Sequence, residues 1–264
     1  MQPGSKEPGF FLFPTQSNQP LMKQIFEKYT DEDRLVWQTL FDRQMKNLKG
    51  KTSEAFLSAL ETVRFCRDQI PDFRDLDKTL GAITGWSMEV VPNIIPQKQF
   101  FELLAFRKFP ATTWLRKMSE LDYLEEPDMF HDVFGHVPLL SNGPYTQFFT
   151  GMAQLAMKHA DNPLAIELLG KVYWFTIEFG LIREKNFIKI YGAGIISSAG
   201  ETVFSLSSKP KHLDFDVKDI MRSTFRTDVF QEKYYIIESF DALYQSLPEI
   251  ERVLEKELKE VLRY

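Results

Sequence analysis

The stretch PDMFHDVFGHVP, residues 127–138, contains two of the only four histidines in a chain of 264 residues. Further along, Glu178 is a single carboxylate in the apolar run YWFTIEF, residues 173–179. Two imidazoles and one carboxylate are the protein ligands of a non-haem Fe(II) site, which leaves the opposite face of the metal open. The sequence therefore predicts an iron centre formed by His131, His136 and Glu178.

The spacing of the two histidines constrains their local structure. His136 lies five positions after His131, and on a regular α-helix five steps place two side chains ~140° apart. The spacing also differs from the His-Glu-x-x-His pattern of zinc proteases, where both rings share one helix face. Gly135 and Pro138 favour a helix end between the histidines. We therefore expect His131 on the last turn of a short helix, His136 just beyond it, and Asp132 pointing away from the metal.

Two interpretations of Glu178 are open from its surroundings alone. The carboxylate could face solvent on an amphipathic helix. However, Trp174, Ile177, Glu178 and Leu181 follow the i, i+3, i+4, i+7 spacing of one apolar stripe. A buried carboxylate without a partner costs several kcal/mol, so it requires a cation or a metal. The stripe favours a metal ligand, with Trp174 one turn away as a wall for a flat molecule.

Three motifs carry a resemblance to a known family: HDVFGHVP (131–138), YWFTIEFG (173–180) and YGAGIISS (191–198). Together they closely resemble the pterin-dependent aromatic amino acid hydroxylases, and within them the short bacterial phenylalanine 4-hydroxylases. The resemblance runs from about Tyr29 to Ser246. It implies a mainly α (α+β) fold, in which a single compact catalytic domain forms a helical basket with small β elements around the iron. It also implies that the two histidines and the glutamate predicted above are the iron ligands.

The resemblance further implies a substrate site. Without it, Arg116 would be a surface residue at the end of a strand, but the family uses an arginine here to bind the substrate carboxylate. A guanidinium suits this role because it can pair with a carboxylate through two parallel hydrogen bonds. Asp128 matches an acid that supports this arginine. The residues that match the rest of the amino acid pocket are Tyr123, Pro127, Trp174, Phe179, Gly194 and Ser197.

A pterin site is implied in the same way. Phe100 matches the phenylalanine that stacks on the pterin ring, and the Ile95 backbone matches groups that contact the ring edge. Asp132 and Gly170 match positions on the pterin side of the iron. Glu201 is expected to help orient the metal ligands, as groups around metal sites commonly do.

The implied reaction is hydroxylation of free L-phenylalanine to L-tyrosine with O2 and a reduced tetrahydropterin. Trp174 favours phenylalanine over tryptophan, because tryptophan hydroxylases tend to have a smaller phenylalanine there. Tyrosine remains an alternative substrate, since the selectivity loop of the family aligns near 227–228. A zinc hydrolase with the same three ligands is a rival from another class. Such a hydrolase would need neither Phe100 nor Arg116. A third alternative is an inactive, metal-binding regulatory protein.

Composition excludes several other classes. A net charge of −5 gives no basic surface for nucleic acid. A single cysteine, Cys66, cannot form a disulfide within the chain and fits a reducing cytoplasm. The apolar run at 10–13 is too short for a signal peptide or a membrane span. We expect a cytoplasmic protein with an irregular leader (1–22) and one catalytic domain (23–264), as a monomer more readily than a dimer.

Periodicity and capping residues predict the main elements. Helices are expected over 31–47, from 53 onward, and over 76–83, 97–106, 145–159, 163–180 and 247–262. An extended segment is expected at 90–96, because residues before proline avoid the α region. Strands are expected at 112–115, 185–191 and 234–238. The abundance of phenylalanine, 24 residues, predicts an aromatic core.

Overall fold

The computed structural model of the protein describes residues 22–122 and 126–261. Its α-helices are α1 (Asp31–Leu48), α2 (Glu54–Thr62), α3 (Phe73–Ile83), α4 (Gln97–Ala105), α5 (Gly143–Lys158), α6 (Pro163–Tyr173), α7 (Ala193–Ser197), α8 (Ala199–Phe204), α9 (Val217–Arg222), α10 (Phe240–Gln245) and α11 (Leu247–Val261). The strands are β1 (Ser87–Val90), β2 (Lys108–Ala111), β3 (Leu181–Glu184), β4 (Phe187–Ile190), β5 (Lys211–Asp214) and β6 (Lys233–Ile237). Two further segments are π-helical, Phe130–His136 and Trp174–Glu178. The mainly helical fold predicted from the sequence is confirmed.

The first two helices begin where their capping residues predict. The Thr30 hydroxyl accepts a hydrogen bond from Asp33 N, and the Asp33 carboxylate accepts one from Thr30 N, which together form a capping box. The Ser53 side chain caps α2 by accepting from Phe56 N. These side chains satisfy backbone donors that a helix start otherwise leaves unpaired. The sequence therefore determines where both helices start.

The strands form two small sheets. β1 and β2 pair in parallel, from Ser87 opposite Lys108 to Val90 opposite Ala111. The second sheet has the order β4-β3-β6-β5, with β3 antiparallel to β4 and the other pairs parallel. Both sheets are small beside the helices, as expected for an α+β domain with a helical basket.

Two of the predicted strands are wrong in their bounds. The strand expected at 112–115 lies at Lys108–Ala111 instead. Pairing with β1 ends there, and Thr112 N donates to the Asp132 carboxylate rather than to a strand. The strand expected at 185–191 is half of a hairpin whose turn contains Lys185 and Asn186, both with positive φ. The turn divides the segment, so its first residues cannot belong to a strand.

The core is rich in aromatic residues, as predicted. Phe130 and Phe134 stack with ring centroids 4.7 Å apart on the buried side of the first π-helical segment. Trp37 of α1 contacts Phe130 edge-on at 5.4 Å, and Phe56 of α2 contacts Phe134 at 6.0 Å. Such edge-to-face pairs stabilise beyond the apolar area they bury. They fix the segment against α1 and α2 and leave its opposite face for the histidines.

The C-terminal helix packs against the rest of the domain. The expected leader lies outside the described residues except for Met22. Helix α11 buries Ile250, Val253 and Leu254 within the chain, and Arg222 of α9 pairs with its acidic residues. This helix therefore packs on its own domain. Over the described ranges, no helix combines the length and the apolar character needed to cross a bilayer.

Candidate metal centre

The three predicted ligands lie together in the structure. His136 Nε2 is 3.0 Å from Glu178 Oε1, and His131 Nε2 is 3.6 Å from Glu178 Oε2. One ligand atom from each residue lies within 4.8 Å of the others. Among the residues 22–122 and 126–261, this is the one group of three or more histidine, cysteine, aspartate or glutamate side chains with such geometry. Asp132 is not part of this group.

The local conformation of the histidines differs from the prediction. No helix end separates them, because His131 and His136 both lie in the π-helical segment Phe130–His136. A π-helix has i→i+5 hydrogen bonds, so residues five apart stand one turn from each other on the same face. The spacing that excludes a shared face on an α-helix produces one here. The expected helix end was wrong because it assumed α-helical geometry.

The second ligand segment has the same conformation. Helix α6 was predicted to continue to 180, but its α-helical part ends at Tyr173 and Trp174–Glu178 is π-helical. Phe179 N donates to Trp174 O across five residues, at 2.9 Å. Tyr173 and Glu178 are also five apart, and the Tyr173 hydroxyl donates to Glu178 Oε1 at 2.8 Å. The wide turn therefore brings this tyrosine onto the ligand that it supports.

Gly135 has a packing role instead of the predicted helix stop. A Cβ atom at this position would lie 3.0 Å from Ala193 O and 3.1 Å from Ala193 Cβ. Because Gly135 lacks a side chain, helix α7 can approach the histidine segment closely. This approach places Ser197, at the end of α7, beside His131.

Ser197 determines which nitrogen of His131 faces the metal position. The Ser197 hydroxyl donates to Ala193 O at 2.9 Å and lies 2.8 Å from His131 Nδ1. Its single proton is used on the carbonyl, so it must accept a hydrogen bond from His131 Nδ1–H. In the neutral imidazole, which is the form that binds a metal, Nε2 is then the unprotonated nitrogen, and it is the one directed at Glu178. An orienting bond on the distal nitrogen is typical of metal-binding histidines.

The electrostatics of Glu178 suit a metal ligand. Burial alone would raise the pKa of its carboxyl group, but positive charge on the His136 and His131 imidazoles and the bond from the Tyr173 hydroxyl lower that pKa to about 2. Glu178 is only 8% exposed, so the ionised group has few water molecules to stabilise it. Burial and the nearby carboxylate raise the pKa of Tyr173, which therefore keeps its proton and donates it. The site thus contains a buried carboxylate that is negative at neutral pH.

The donor set and its spacing fit Fe(II). Two ligand atoms that each lie ~2.1 Å from one ion, about 90° apart, are about 3 Å from each other. The distances of 3.0 and 3.6 Å between the Nε2 atoms and the carboxylate oxygens have this size. Two imidazoles and one carboxylate on one side of an ion leave the other side open for small molecules. The site can therefore hold iron with open coordination positions.

A buried ion pair lies beside the metal ligands. Arg116 donates to Asp128 through Nε at 2.9 Å, through Nη2 at 2.8 Å and through its backbone N at 3.0 Å. Asp128 also accepts from His131 N at 3.1 Å. Burial would raise the pKa of the Asp128 carboxyl group, but the bonds from Arg116 and His131 hold it below its usual range. The predicted pairing of Arg116 with Asp128 is present, and it contacts the ligand segment directly.

An aromatic wall is formed around Trp174, four residues before Glu178. Trp174 lies with its ring centroid 4.6 Å from that of Phe179 and 4.3 Å from that of Phe225, nearly parallel to the latter at 17°. Gly194 packs under this wall, since a Cβ there would lie 2.8 Å from the Phe179 ring. Pro127, which directly precedes Asp128, is half-buried. Tyr123, also predicted for the pocket, lies outside the described residues.

Two of the residues predicted for the pterin, Phe100 and Gly170, lie near Tyr173. Phe100 of α4 contacts the Tyr173 ring edge-on at 5.0 Å and is half-buried, as is Ile95 before the helix. Gly170 is one turn before Tyr173, and a Cβ there would lie 2.7 Å from Gln97 Nε2. The Asp132 carboxylate accepts from both the backbone N and the hydroxyl of Thr112. Phe100 and Gly170 therefore flank the tyrosine that bonds Glu178.

Tyr173 and Gln231 were not predicted from sequence, and Ser197 and Glu201 make contacts other than the expected ones. Ser197 was expected to line the pocket, and its bond to His131 depends on how α7 packs. Tyr173 gave no signal, because i, i+5 contacts exist only in a π-helix. Glu201 does not contact the metal ligands: it accepts from Gln231 N and from the Tyr234 hydroxyl, beneath the aromatic wall. No sequence pattern identifies Gln231, which lies in an irregular segment.

Comparisons with known proteins agree with this geometry. The family model of the biopterin-dependent aromatic amino acid hydroxylases matches residues 18–264. A phenylalanine-4-hydroxylase of Ralstonia nicotianae is 44% identical over 226 residues, which are 85% of this chain and 72% of that protein. One of Chromobacterium violaceum is 42% identical, over 87% of this chain and 77% of that protein.

The fold matches a solved structure of the same family. This is the C. violaceum phenylalanine hydroxylase with bound iron(III) and oxidised cofactor 7,8-dihydrobiopterin. Its TM-score to this chain is 0.85 at 41% identity, covering 91% of this chain and 86% of that one. Family model, relatives and fold agree, and the chain belongs to the biopterin-dependent aromatic amino acid hydroxylases.

Proposed function

We propose that the protein is an iron(II)- and tetrahydropterin-dependent phenylalanine 4-monooxygenase, which converts free L-phenylalanine to L-tyrosine with O2. The observation that carries the proposal is the cluster of His131, His136 and Glu178 with the Arg116–Asp128 pair beside it. Relatives named phenylalanine-4-hydroxylase support the choice of substrate. So does the tryptophan at 174, which leaves less room for an indole.

Arg116 is the proposed partner of the substrate carboxylate. A guanidinium has five N–H donors. Within residues 22–122 and 126–261, three of them have partners: Nε and Nη2 donate to Asp128, and Nη1 donates to Leu121 O at 3.3 Å. The other two, one on each terminal nitrogen, suit a bidentate carboxylate. Asp128 fixes the plane of the guanidinium, and thereby the direction in which it can bind an amino acid.

The remaining proposed contacts orient the two rings. Trp174, Phe179, Pro127, Gly194 and Tyr123 would enclose the phenyl group of the substrate. Phe100, Ile95, Asp132 and Gly170 would hold the pterin. When bound, iron(II) and the reduced pterin supply the activation of O2. The side chains contribute placement, and a fixed geometry of the reacting groups can remove many kcal/mol from a barrier.

The test is an assay of pterin-dependent hydroxylation with phenylalanine, tyrosine and tryptophan side by side. We expect tyrosine formation from phenylalanine at the highest kcat/KM, one iron per chain, and no turnover with zinc, which has no redox chemistry. His136→Ala should lose both iron and turnover while its circular dichroism spectrum stays unchanged. Full activity of this variant would contradict the iron site, and hydrolytic activity of the zinc form would favour a hydrolase.

We also propose one catalytic domain at 23–264, which acts as a cytoplasmic monomer. The burial of Ile250, Val253 and Leu254 of α11 within the chain supports the monomer, because these apolar residues are already covered. Light scattering at micromolar concentration tests it. A mass near 30.9 kDa agrees with a monomer, and twice that value indicates a dimer. Cell fractionation tests the location.

A further inference from the structure

Gln231 is a buried polar residue beside the site that the proposed mechanism does not use. Its side chain lies in the segment between α9 and β6 and is 5% exposed. The Oε1 atom accepts from the Trp174 indole N–H at 3.0 Å. Nε2 donates to Arg226 O at 2.8 Å and to Val229 O at 3.2 Å. The amide therefore uses both of its N–H groups and one acceptor position, which is nearly its full capacity.

The backbone of Gln231 is held as firmly as its side chain. Gln231 N donates to Glu201 Oε1 at 3.2 Å, and the Tyr234 hydroxyl of β6 donates to the same carboxylate. Glu201 is 4% exposed and belongs to α8, which follows α7 directly. Gln231 thus connects three parts of the molecule: the indole of Trp174, the loop 226–229, and the polar pair beneath the wall.

We infer that Gln231 is a positioning residue that sets substrate specificity by holding the Trp174 ring in place. The ring is stacked on Phe225 at 4.3 Å on one face and contacts Phe179 at 4.6 Å, but neither contact prevents it from sliding in its own plane. The hydrogen bond from the Trp174 indole N–H to Gln231 Oε1 prevents this sliding. A fixed indole excludes a larger substrate ring, whereas a loose one can move aside. This inference rests on the proposed function, in which Trp174 faces the substrate ring.

The perturbation is Gln231→Leu, which keeps the size of the side chain and removes all three hydrogen bonds. We expect the ratio of kcat/KM for phenylalanine to that for tryptophan to fall about tenfold, within the range for a change of one methylene in a pocket. The change should arise mainly from improved tryptophan turnover. The contact itself is monitored separately by NMR of the full chain loaded with zinc and labelled with ¹⁵N-indole. Its four tryptophans give one N–H signal each, and Trp174→Phe assigns the relevant one.

A double-mutant cycle separates positioning from general destabilisation. In the Trp174→Phe background no indole remains for Gln231 to hold, so Gln231→Leu should change the substrate ratio no further. Gln24→Leu is the matched control. Gln24 also makes three bonds, to Pro71 O, the Tyr29 hydroxyl and Phe73 N, but lies away from the wall. It should lower the midpoint of thermal unfolding without moving the ratio.

The outcomes are distinct. A shifted, faster-exchanging Trp174 signal, together with a ratio that falls only when Trp174 is present, supports the inference. An equal fall of the ratio in the Trp174→Phe background would overturn it. So would an indole signal of Trp174 that does not shift in Gln231→Leu. A substrate ratio that stays unchanged while that signal shifts would also overturn it. If the unmodified protein hydroxylates neither amino acid, the proposed function fails instead, and the NMR signal still reports whether Gln231 holds the indole.

Discussion

Replacing Asp128 by Asn should destabilise the protein strongly while hardly changing its shape. Each carboxylate oxygen accepts two hydrogen bonds. Oδ1 binds Arg116 Nη2 and His131 N, and Oδ2 binds Arg116 N and Arg116 Nε. An amide has one oxygen and one NH2 group, so in either orientation its NH2 faces two donors. Two of the four bonds are lost, and the buried guanidinium loses its counter-charge.

The magnitude follows from these losses. A hydrogen bond to a charged group contributes roughly 1.5–3 kcal/mol, and removal of one partner of a buried ion pair costs about 3–5 kcal/mol. We expect a decrease of about 3–4 kcal/mol in the free energy of unfolding, because Arg116 is 9% exposed and Asp128 is fully buried. For a chain of this size each kcal/mol lowers Tm by about 2–4 °C. Urea titration and calorimetry of both proteins measure the change.

The same substitution in an exposed pair is the control. Asp42 accepts from Arg67 Nε through both oxygens at 3.1 Å, with the two side chains about half exposed. Exposed pairs contribute about 0–1 kcal/mol, so Asp42→Asn should be nearly neutral. If Asp128→Asn costs no more than Asp42→Asn, the argument from burial and bond count is refuted.

Three other outcomes are expected. The folded-state pKa of Asp128 lies below its unfolded value of about 3.9. Its contribution to stability is therefore complete above a pH of about 3.9 and is lost as the pH falls through the folded-state pKa. The unfolding free energies of the unmodified protein and of Asp128→Asn, measured across this range, should converge in acid. Ser197→Ala removes the acceptor of a histidine ligand's Nδ1–H and should weaken iron binding about 10–100-fold, as measured by competition with a chelator; an unchanged affinity would exclude the orienting role. Gly192→Ala would place a Cβ 2.5 Å from Glu178 O, which is backbone and cannot move cheaply, so iron retention and Tm should both fall, whereas Gly143→Ala, with nothing within 4 Å, should leave both unchanged.

Much of the fold could be predicted because its signals are local. Thr30 and Ser53 cap α1 and α2 through bonds to residues three positions away, so the sequence alone shows where both helices begin. The short helices α7 to α10 were not predicted, since five or six residues are too few to show a helical period. The β2 strand was misplaced because its end depends on Asp132, a residue distant in sequence that binds Thr112 N.

The site likewise has features that could be predicted from the sequence and features that could not. His131, His136 and Glu178 could be identified because scarce or charged residues in apolar runs have few structural explanations. That the two histidines share one helix face could not be predicted, because the expected side-chain positions assumed the α-helical period and the segment is π-helical. Ser197 was predicted to line the amino acid pocket, but its bond to His131 was not predicted, because that contact is made by tertiary packing. Ser197 reaches His131 only because α7 lies against Gly135.

Each of the two π-helical segments that carry the metal ligands differs from a regular α-helix by one extra residue in its turn. A π-helical turn contains one residue more than the α-helical hydrogen-bond pattern accommodates. Deleting a single residue from Trp174–Glu178 would restore regular α-helix and rotate the carboxylate by ~100° about the helix axis, away from the histidines. The shortened helix would gain regular hydrogen bonds while the chain lost its metal. At this point local regularity and catalysis are opposed, so selection for stability alone would erase the iron site.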